Sequence, residues 1–264
     1  MLVSATNCGA MTDPGQFTED AFLGGQLRLR QPTTGHRAGH DAMLLAAATP
    51  ARSGDRVVDF GSGVGAAGLA VAKRVAGIAL VLVEIDPALA ALARANGELN
   101  AVAADVIVLD VTSAPSSFVA AGLGPDSVDV VLMNPPFNDS VRHRASPDKT
   151  REVAHVARPE TLESWIQAAR RILRSGGVLS LIWRADGLAE VLAALDRGFG
   201  SFGIVPVHAD RASPAIRVLV RAIKGGRAPT QIHLAVLLND ESELPNKRLE
   251  TILAGEGVLM PAKL

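Results

Sequence analysis

The chain has 264 residues, 48% of them hydrophobic, which is enough to bury a substantial core in one large domain or two small ones. Its 26 basic and 27 acidic residues give a formal net charge of −1, which excludes a global positive field for nucleic acid, so any such binding needs a local basic patch. Seven Phe, two Trp and no Tyr argue against a broad stacking platform for single strands.

Cysteine content and hydropathy bear on the compartment. The single cysteine, Cys8, excludes an intrachain disulfide and a cysteine-based zinc cage and favours a cytoplasmic location. No apolar run approaches the roughly 18 residues that span a bilayer, and the N-terminus lacks a charged start followed by an apolar segment. We therefore expect no membrane partner, no targeting signal and no metal site.

The beginning of the chain is predicted to be a leader followed by a small hairpin. Residues 1–20 are small, polar and punctuated by Gly and Pro without periodicity, which predicts a flexible leader before a single domain over 21–264. Apolar residues flank Gly24-Gly25 within Ala21–Arg30, and this pattern predicts a hairpin that acts as a flap or edge.

A Gly-rich loop leads into the first predicted helix, Ala42–Thr49. Asp41 is placed to cap that helix, and capping competes with a ligand contact as its role. The loop also carries two histidines and an arginine, which could gather an anion beside the helix start: His36, Arg37 and His40.

From Asp55 onward, short apolar strands alternate with helical stretches, which predicts an α/β fold with a mainly parallel sheet covered on both faces. The predicted strands are Arg56–Phe60, Ala79–Ile85, Asp105–Leu109, Ser127–Met133 and Gly177–Trp183. The predicted helices lie near Val64–Ala76, Pro87–Asn100, Thr161–Arg174 and Gly187–Asp196. Antiparallel strands at the sheet's end are predicted for Gly203–Val207, Ile216–Ile223 and Gln231–Leu238, before a short amphipathic helix over Lys247–Ala254.

A glycine loop follows the first predicted strand, in the stretch Asp59 to Gly68. Gly61, Gly63 and Gly65 allow a sharp turn and close ligand approach to a helix N-terminus, and the stretch also satisfies the dehydrogenase pattern. Asp59 distinguishes a dinucleotide cofactor from a cationic one, because its carboxylate would repel a pyrophosphate but attract a cation. S-adenosylmethionine carries a sulfonium and an ammonium group and no phosphate, so it suits this loop.

Further acids end the next two strands. Glu84 can accept both ribose hydroxyls of such a cofactor, and Asp110 is placed to touch adenine N6. Each acid alone is as well explained by helix capping or a turn. Their recurrence at the carboxyl ends of successive parallel strands favours a cofactor site, because open α/β sheets bind ligands at this edge.

The fourth strand ends in Asn134-Pro135-Pro136-Phe137. The prolines enforce a rigid turn, so the Asn134 side-chain oxygen and the Pro135 carbonyl can each accept one N–H bond of a planar amine whose ring lies on Phe137. A strand-ending turn with a core phenylalanine is the alternative for this motif alone.

Taken together, the stretches Asp59–Gly65, Val83–Asp86 and Asn134–Phe137 resemble the class I S-adenosylmethionine-dependent methyltransferases, in the amino-group-modifying branch. The order of these stretches, together with the segment Gln31–Leu45 that precedes them, is similar to the bacterial tRNA(Val) adenine-N6 methyltransferases. The resemblance extends from about Phe22 to Leu259. The family tends to have Tyr and Thr where this chain has His36 and His40.

The resemblance implies a Rossmann-like, seven-stranded sheet, S-adenosylmethionine as cofactor and methylation of adenine N6 in tRNA. It implies a catalytic turn at Asn134, Pro135, Pro136 and Phe137, and cofactor contacts from the glycine loop, Glu84, Asp110 and Asp41. Substrate contacts are expected from Arg37 and from three arginines of a basic segment after the turn: Arg142, Arg144 and Arg151. A solvent-exposed loop and helix face would explain this basic segment equally well.

Three alternatives remain open at this stage. The same turn suits methylation of a protein glutamine amide, and the same cofactor pocket suits a small-molecule substrate, including O-methylation. A binding protein that keeps the fold without turnover is the third, and the intact Asp59, Glu84 and Asn134 argue against it. The sequence is also compatible with a homodimer.

Overall fold

A computed structural model describes residues 17–35, 37–136, 159–239 and 247–260. Among these residues, no helix has both the length and the apolar character needed to cross a membrane.

The N-terminal hairpin is longer than predicted. Strand β1 (Phe17–Phe22) pairs antiparallel with β2 (Leu27–Pro32) across a 3-10 turn at Leu23–Gly25. The strand therefore includes residues 17–20, which the sequence pattern assigned to a flexible leader. These polar residues are ordered by cross-strand charges, because Glu19 forms an ion pair with Arg28.

The main sheet follows the predicted alternation. Its strands are β3 (Arg56–Phe60), β4 (Ala79–Glu84), β5 (Ala104–Val108), β6 (Val128–Met133), β7 (Leu173–Arg184), β8 (Phe199–His208), β9 (Ala215–Lys224), β10 (Gln231–Ile232) and β11 (Val236–Leu237). The helices are α1 (His40–Ala48), α2 (Ala66–Arg74), α3 (Pro87–Leu99), α4 (Pro115–Ala120), α5 (Pro159–Ile172), α6 (Leu188–Leu195) and α7 (Lys247–Leu253).

The seven long strands run in the order β5-β4-β3-β6-β7-β9-β8, and β10 and β11 both pair with β8. This confirms the mainly parallel α/β sheet. Among the described strands of this sheet, β9 runs antiparallel to both of its neighbours, β7 and β8, which confirms the predicted antiparallel pairing at the end of the sheet. The predicted run Gln231–Leu238 forms two two-residue strands, and the short helix α4 was not predicted.

Two apolar cores cover the two faces of the sheet. One lies under α1, α2 and α3 and is joined by the hairpin and α7; the other lies under α4, α5 and α6. Side chains alternate between them along β3, where Val57 belongs to the first core and Val58 to the second. With both faces covered by helices, the carboxyl edge of β3 to β6 is where a ligand can approach the sheet.

Candidate active site

The strand register brings the predicted site residues to one edge. Phe60 at the end of β3 pairs with Val83 on one side and with Met133 on the other. The residues that follow are Gly61, Glu84 and Asn134, so they lie at the same level on neighbouring strands, which are about 4.8 Å apart. The central sequence prediction, that these positions share an edge, agrees with this arrangement.

The loop after β3 needs glycine for two different reasons. Gly61, Gly63 and Gly65 have φ of 65°, 57° and 87°, a left-handed conformation that L side chains rarely adopt. At Gly61, a Cβ would lie 2.4 Å from Cη2 of Trp165 on α5. A Cβ at Gly63 would meet no atom of the described residues within 4 Å, so this side of the loop is open to a ligand.

Glu84 holds the loop in place. Its side chain is buried, with 6% exposure; Oε2 accepts the Gly63 N–H at 2.7 Å and Oε1 accepts the Asp86 N–H at 2.9 Å. Because a carboxylate has about four lone-pair positions, both oxygens can still accept hydroxyl hydrogen bonds. Glu84 can therefore orient the loop and bind a diol at once.

Asp59 supports the loop from below. It is 3% exposed, and its Oδ2 accepts the Gly68 N–H at 2.8 Å in the first turn of α2. Burial raises its pKa to about 7; the Gly68 hydrogen bond opposes this rise and the nearby Glu84 charge adds to it. The Asp59 carboxyl thus contacts the backbone of α2 directly after the loop, and it is partly protonated near pH 7.

Asn134 carries an acceptor that no described residue pairs with. Its Oδ1 is buried and has no hydrogen bond to any of the described residues. A buried acceptor left in this way destabilises the protein unless something donates to it, so the atom marks a place for a donor. Pro135 is buried and Pro136 exposed beside it. The other predicted residues of this region lie outside the described residues: Phe137, Arg142, Arg144 and Arg151.

Asp110 and Asp41 are both engaged by other protein groups. Asp110 Oδ1 accepts from the Thr112 N–H at 2.7 Å and the Thr112 hydroxyl at 2.8 Å, forming a turn after β5. The capping role of Asp41 is wrong, because α1 begins at His40 with Gly39 as its N-cap. The Asp41 carboxylate accepts instead from Arg217 Nε at 3.1 Å and so ties α1 to the start of β9.

Arg37 holds the lead-in segment together. Its guanidinium donates to Asp20 at 2.6 Å and Thr18 at 2.9 Å in β1, and to the Pro32 carbonyl at 3.2 Å in β2. These contacts give Arg37 a structural role in the hairpin, whereas the sequence pattern indicated a substrate contact.

Trp165 was not among the predicted site residues. It is buried on α5, packs edge-on against Phe60 with ring centroids 6.5 Å apart, and covers Gly61. The signal in the sequence is weak, because a tryptophan on the apolar face of a helix is first explained by the core.

These groups suit a cationic cofactor beside an amine. The described loop contacts are backbone N–H groups, carboxylates and an open glycine face, with Asn134 Oδ1 at the neighbouring strand end. Carboxylates so close would repel phosphates and stabilise a sulfonium or ammonium group. The donor set therefore fits S-adenosylmethionine.

Comparison with known proteins agrees with this chemistry. Residues 37–209 match the methyltransferase small domain family. The chain is 30% identical to a tRNA1(Val) (adenine(37)-N6)-methyltransferase from Porphyromonas gingivalis, over 65% of this chain and 68% of that protein. It is 27% identical to a release factor glutamine methyltransferase from Chlorobaculum tepidum, over 61% and 56% of the two chains.

Among solved structures, the chain is similar to a crystal structure described as a predicted O-methyltransferase from Agrobacterium tumefaciens. The TM-score is 0.69 and the identity 32%, with 83% of this chain and 97% of that chain covered. The family match spans well over half of the sequence and includes the glycine loop and the Asn134 turn. The chain therefore belongs to the methyltransferase small domain family, and it is an S-adenosylmethionine-dependent methyltransferase.

Proposed function

We propose that this enzyme methylates an exocyclic amine, the N6 of an adenine in tRNA. The observation that carries the proposal is the buried Oδ1 of Asn134, which has no hydrogen-bond partner among the described residues and lies at the strand end beside the glycine loop. An acceptor in this place selects a substrate group that donates a hydrogen bond.

The protein's part in the reaction is orientation. The amine donates one N–H to Asn134 Oδ1 and the other to the Pro135 carbonyl, so that its lone pair points away from the turn and towards the glycine loop. The cofactor supplies an electrophilic methyl group on a sulfonium. Transfer of that methyl group would leave a neutral thioether and a cationic nitrogen, which would release one proton to water. Holding the amine in line contributes about 7 kcal/mol in favourable intramolecular systems.

The residues that would hold the cofactor are those of the loop and its neighbours. Glu84 would accept the ribose hydroxyls, Asp110 would lie towards the adenine, and Gly61 to Gly65 would provide the close backbone approach. Asp59 stabilises the loop through the Gly68 N–H, and because its pKa is about 7 it is partly ionised near neutral pH beneath a cationic ligand. We place Asp41 and Arg37 in the framework around the site, because both are engaged by protein groups.

The choice of tRNA comes from the relatives. Several of them are named tRNA1(Val) (adenine(37)-N6)-methyltransferase, at about 30% identity. An adenine N6 amine presents the two N–H donors that the Asn134 turn can accept. The base must be flipped out of its stack to reach the turn, which costs least in a loop.

A protein glutamine amide is the second candidate, favoured by the similarity to a release factor glutamine methyltransferase. Its –NH2 group would make the same two hydrogen bonds. O-methylation would leave one of the two acceptors without a donor, since a hydroxyl offers a single hydrogen. The geometry therefore favours nitrogen over oxygen as the accepting atom.

The test offers the enzyme each class of acceptor with methyl-labelled S-adenosylmethionine: a tRNA pool lacking adenine-N6 methylation, release factors and a metabolite extract. We expect label in tRNA, recovered as N6-methyladenosine after digestion to nucleosides. Label in glutamine of a release factor would support the second candidate, and label on an oxygen would contradict both. Heat-inactivated enzyme is the control for background transfer.

A further inference from the structure

Two asparagines attach the N-terminal hairpin to the domain, Asn96 on α3 and Asn100 at the C-cap of this helix. Asn100 Oδ1 accepts the Arg28 N–H at 2.9 Å and its Nδ2 donates to the Arg28 carbonyl at 2.6 Å. Asn96 does the same with Arg30, at 2.8 Å and 3.0 Å. The outer edge of β2 is therefore paired with side-chain amides, which replace a neighbouring strand.

The spacing of the two elements makes this pairing possible. Residues i and i+2 of a strand lie about 6.8 Å apart, while residues i and i+4 of a helix rise about 6 Å. Arg28 and Arg30 thus meet Asn100 and Asn96 in register. Asn96 lies in the helix interior, where asparagine is a poor residue, and Asn100 follows four residues later as the C-cap of α3; this pair is the signal of the docking in the sequence.

Asn96 makes one further contact that Asn100 lacks. Its Nδ2 also donates to the carbonyl of Val64, at 3.0 Å. Val64 lies inside the glycine loop, between Gly63 and Gly65, which both have positive φ. The second Nδ2 bond of Asn100 goes to the Asn96 carbonyl of the same helix, at 2.8 Å.

We infer that Asn96 is a positioning residue that couples the N-terminal hairpin to the cofactor loop. Its amide is fully buried, and both of its N–H groups are used, one on each side of the junction. The amide orientation is fixed by its partners, since a flipped side chain would point its oxygen at two carbonyls. Asn96 thus fixes the Val64 carbonyl, and with it the loop conformation that the cofactor must meet. The inference rests on the proposed placement of the cofactor at this loop.

Coupling through one residue is reciprocal. If the docked hairpin favours the loop conformation that binds the cofactor, cofactor binding must favour the docked hairpin by the same factor. The hairpin carries no residue proposed to touch the cofactor, so an effect of the cofactor on its hydrogen exchange would have to be transmitted from the loop through residues such as Asn96.

The test compares Asn96→Ala with Asn100→Ala, which loses the same type of hairpin contact but no loop contact. S-adenosylmethionine affinity is measured by calorimetry, and the KM for the cofactor and kcat are measured on whichever acceptor is labelled. We expect Asn96→Ala to weaken cofactor binding and raise that KM by about five- to tenfold with little change in kcat, because a buried carbonyl of the loop loses its donor. We expect Asn100→Ala to change the affinity by less than about twofold, since its side chain contacts the hairpin and the α3 backbone but not the glycine loop.

Hydrogen exchange on the unmodified protein keeps the test independent of whether the variants fold. Cofactor addition should increase protection in Gly61–Gly65 and also in Leu27–Pro32. Equal affinities for the two asparagine variants, or no cofactor effect on β2, would overturn the inference. Glu84→Ala separates this failure from a misplaced site: if Glu84→Ala also left affinity unchanged, the cofactor placement itself would be wrong.

Discussion

At the level of single residues, the site combines one acceptor that no described residue satisfies with carboxylates that the backbone already engages. Asn134 Oδ1 has no hydrogen-bond partner in the described part of the chain, whereas Glu84 and Asp59 each accept N–H groups of the loop or its helix. The type and position of all three were predictable from the sequence, because they directly follow or end apolar strand runs. Their hydrogen bonds were not, since these depend on the loop's conformation.

Glu84 is the residue whose loss should affect the cofactor most directly. Replacement by alanine removes the acceptor proposed for the ribose and also releases the Gly63 and Asp86 N–H groups. We expect Glu84→Ala to weaken S-adenosylmethionine binding by at least about tenfold in calorimetry, the loss of a charge-assisted hydrogen bond or more. An unchanged affinity would mean that the ribose is held elsewhere.

Asp59 should make stability depend on pH. Its folded-state pKa of about 7 lies above the ordinary 3.8, so the folded protein binds a proton that the unfolded chain has released. The contribution of Asp59 to the free energy of unfolding is therefore fully present below about pH 4. It is lost as the pH rises towards 7, by roughly 4 kcal/mol at most. Urea unfolding between pH 5 and 8 should show the decline in the native protein, and Asp59→Asn should reduce it. The same slope in both proteins would contradict the assignment.

At the level of elements, the parallel strands and the loop between β3 and α2 were the most predictable part. Predicted and observed β3 coincide at Arg56–Phe60, because a short run of apolar residues there is bounded by turn residues. The docking of the hairpin on α3 and the position of β9 between β7 and β8 were not predicted. Asparagine-to-backbone bonds and the insertion of β9 between β7 and β8 join segments far apart in the chain, and local patterns carry no signal for them.

The contact between Gly61 and Trp165 gives an element-scale prediction. Gly61→Ala and Gly63→Ala both place alanine at positive φ, which costs about 1–2 kcal/mol. Only at Gly61 would the added methyl meet Trp165, so Gly61→Ala should lower the free energy of unfolding by about 1–3 kcal/mol more. Chemical denaturation of the two variants measures the difference. Equal destabilisation by Gly61→Ala and Gly63→Ala would show that Trp165 on α5 does not restrict the space at Gly61.

At the level of the whole molecule, function depends on how the sheet is assembled. The order β5-β4-β3-β6 places the ends of four neighbouring strands side by side. The apolar cores on both faces of the sheet hold these strands in register. A nearly neutral chain thereby brings carboxyl groups together at one sheet edge, the proposed cofactor site, beside an uncharged amide turn. The sequence predicts this convergence because alternating strands and helices produce parallel strands with their carboxyl ends at one edge.

The central claim is that Asn134 orients the accepting amine without holding the cofactor. Its most direct test is single-turnover methyl transfer by Asn134→Ala to the substrate that the native enzyme labels, with S-adenosylmethionine affinity measured on the same preparation. We expect transfer to fall by about 30- to 100-fold, which corresponds to about 2–3 kcal/mol, while the affinity changes by less than about twofold. Transfer at the native rate, or a loss explained by weaker cofactor binding, would contradict the account.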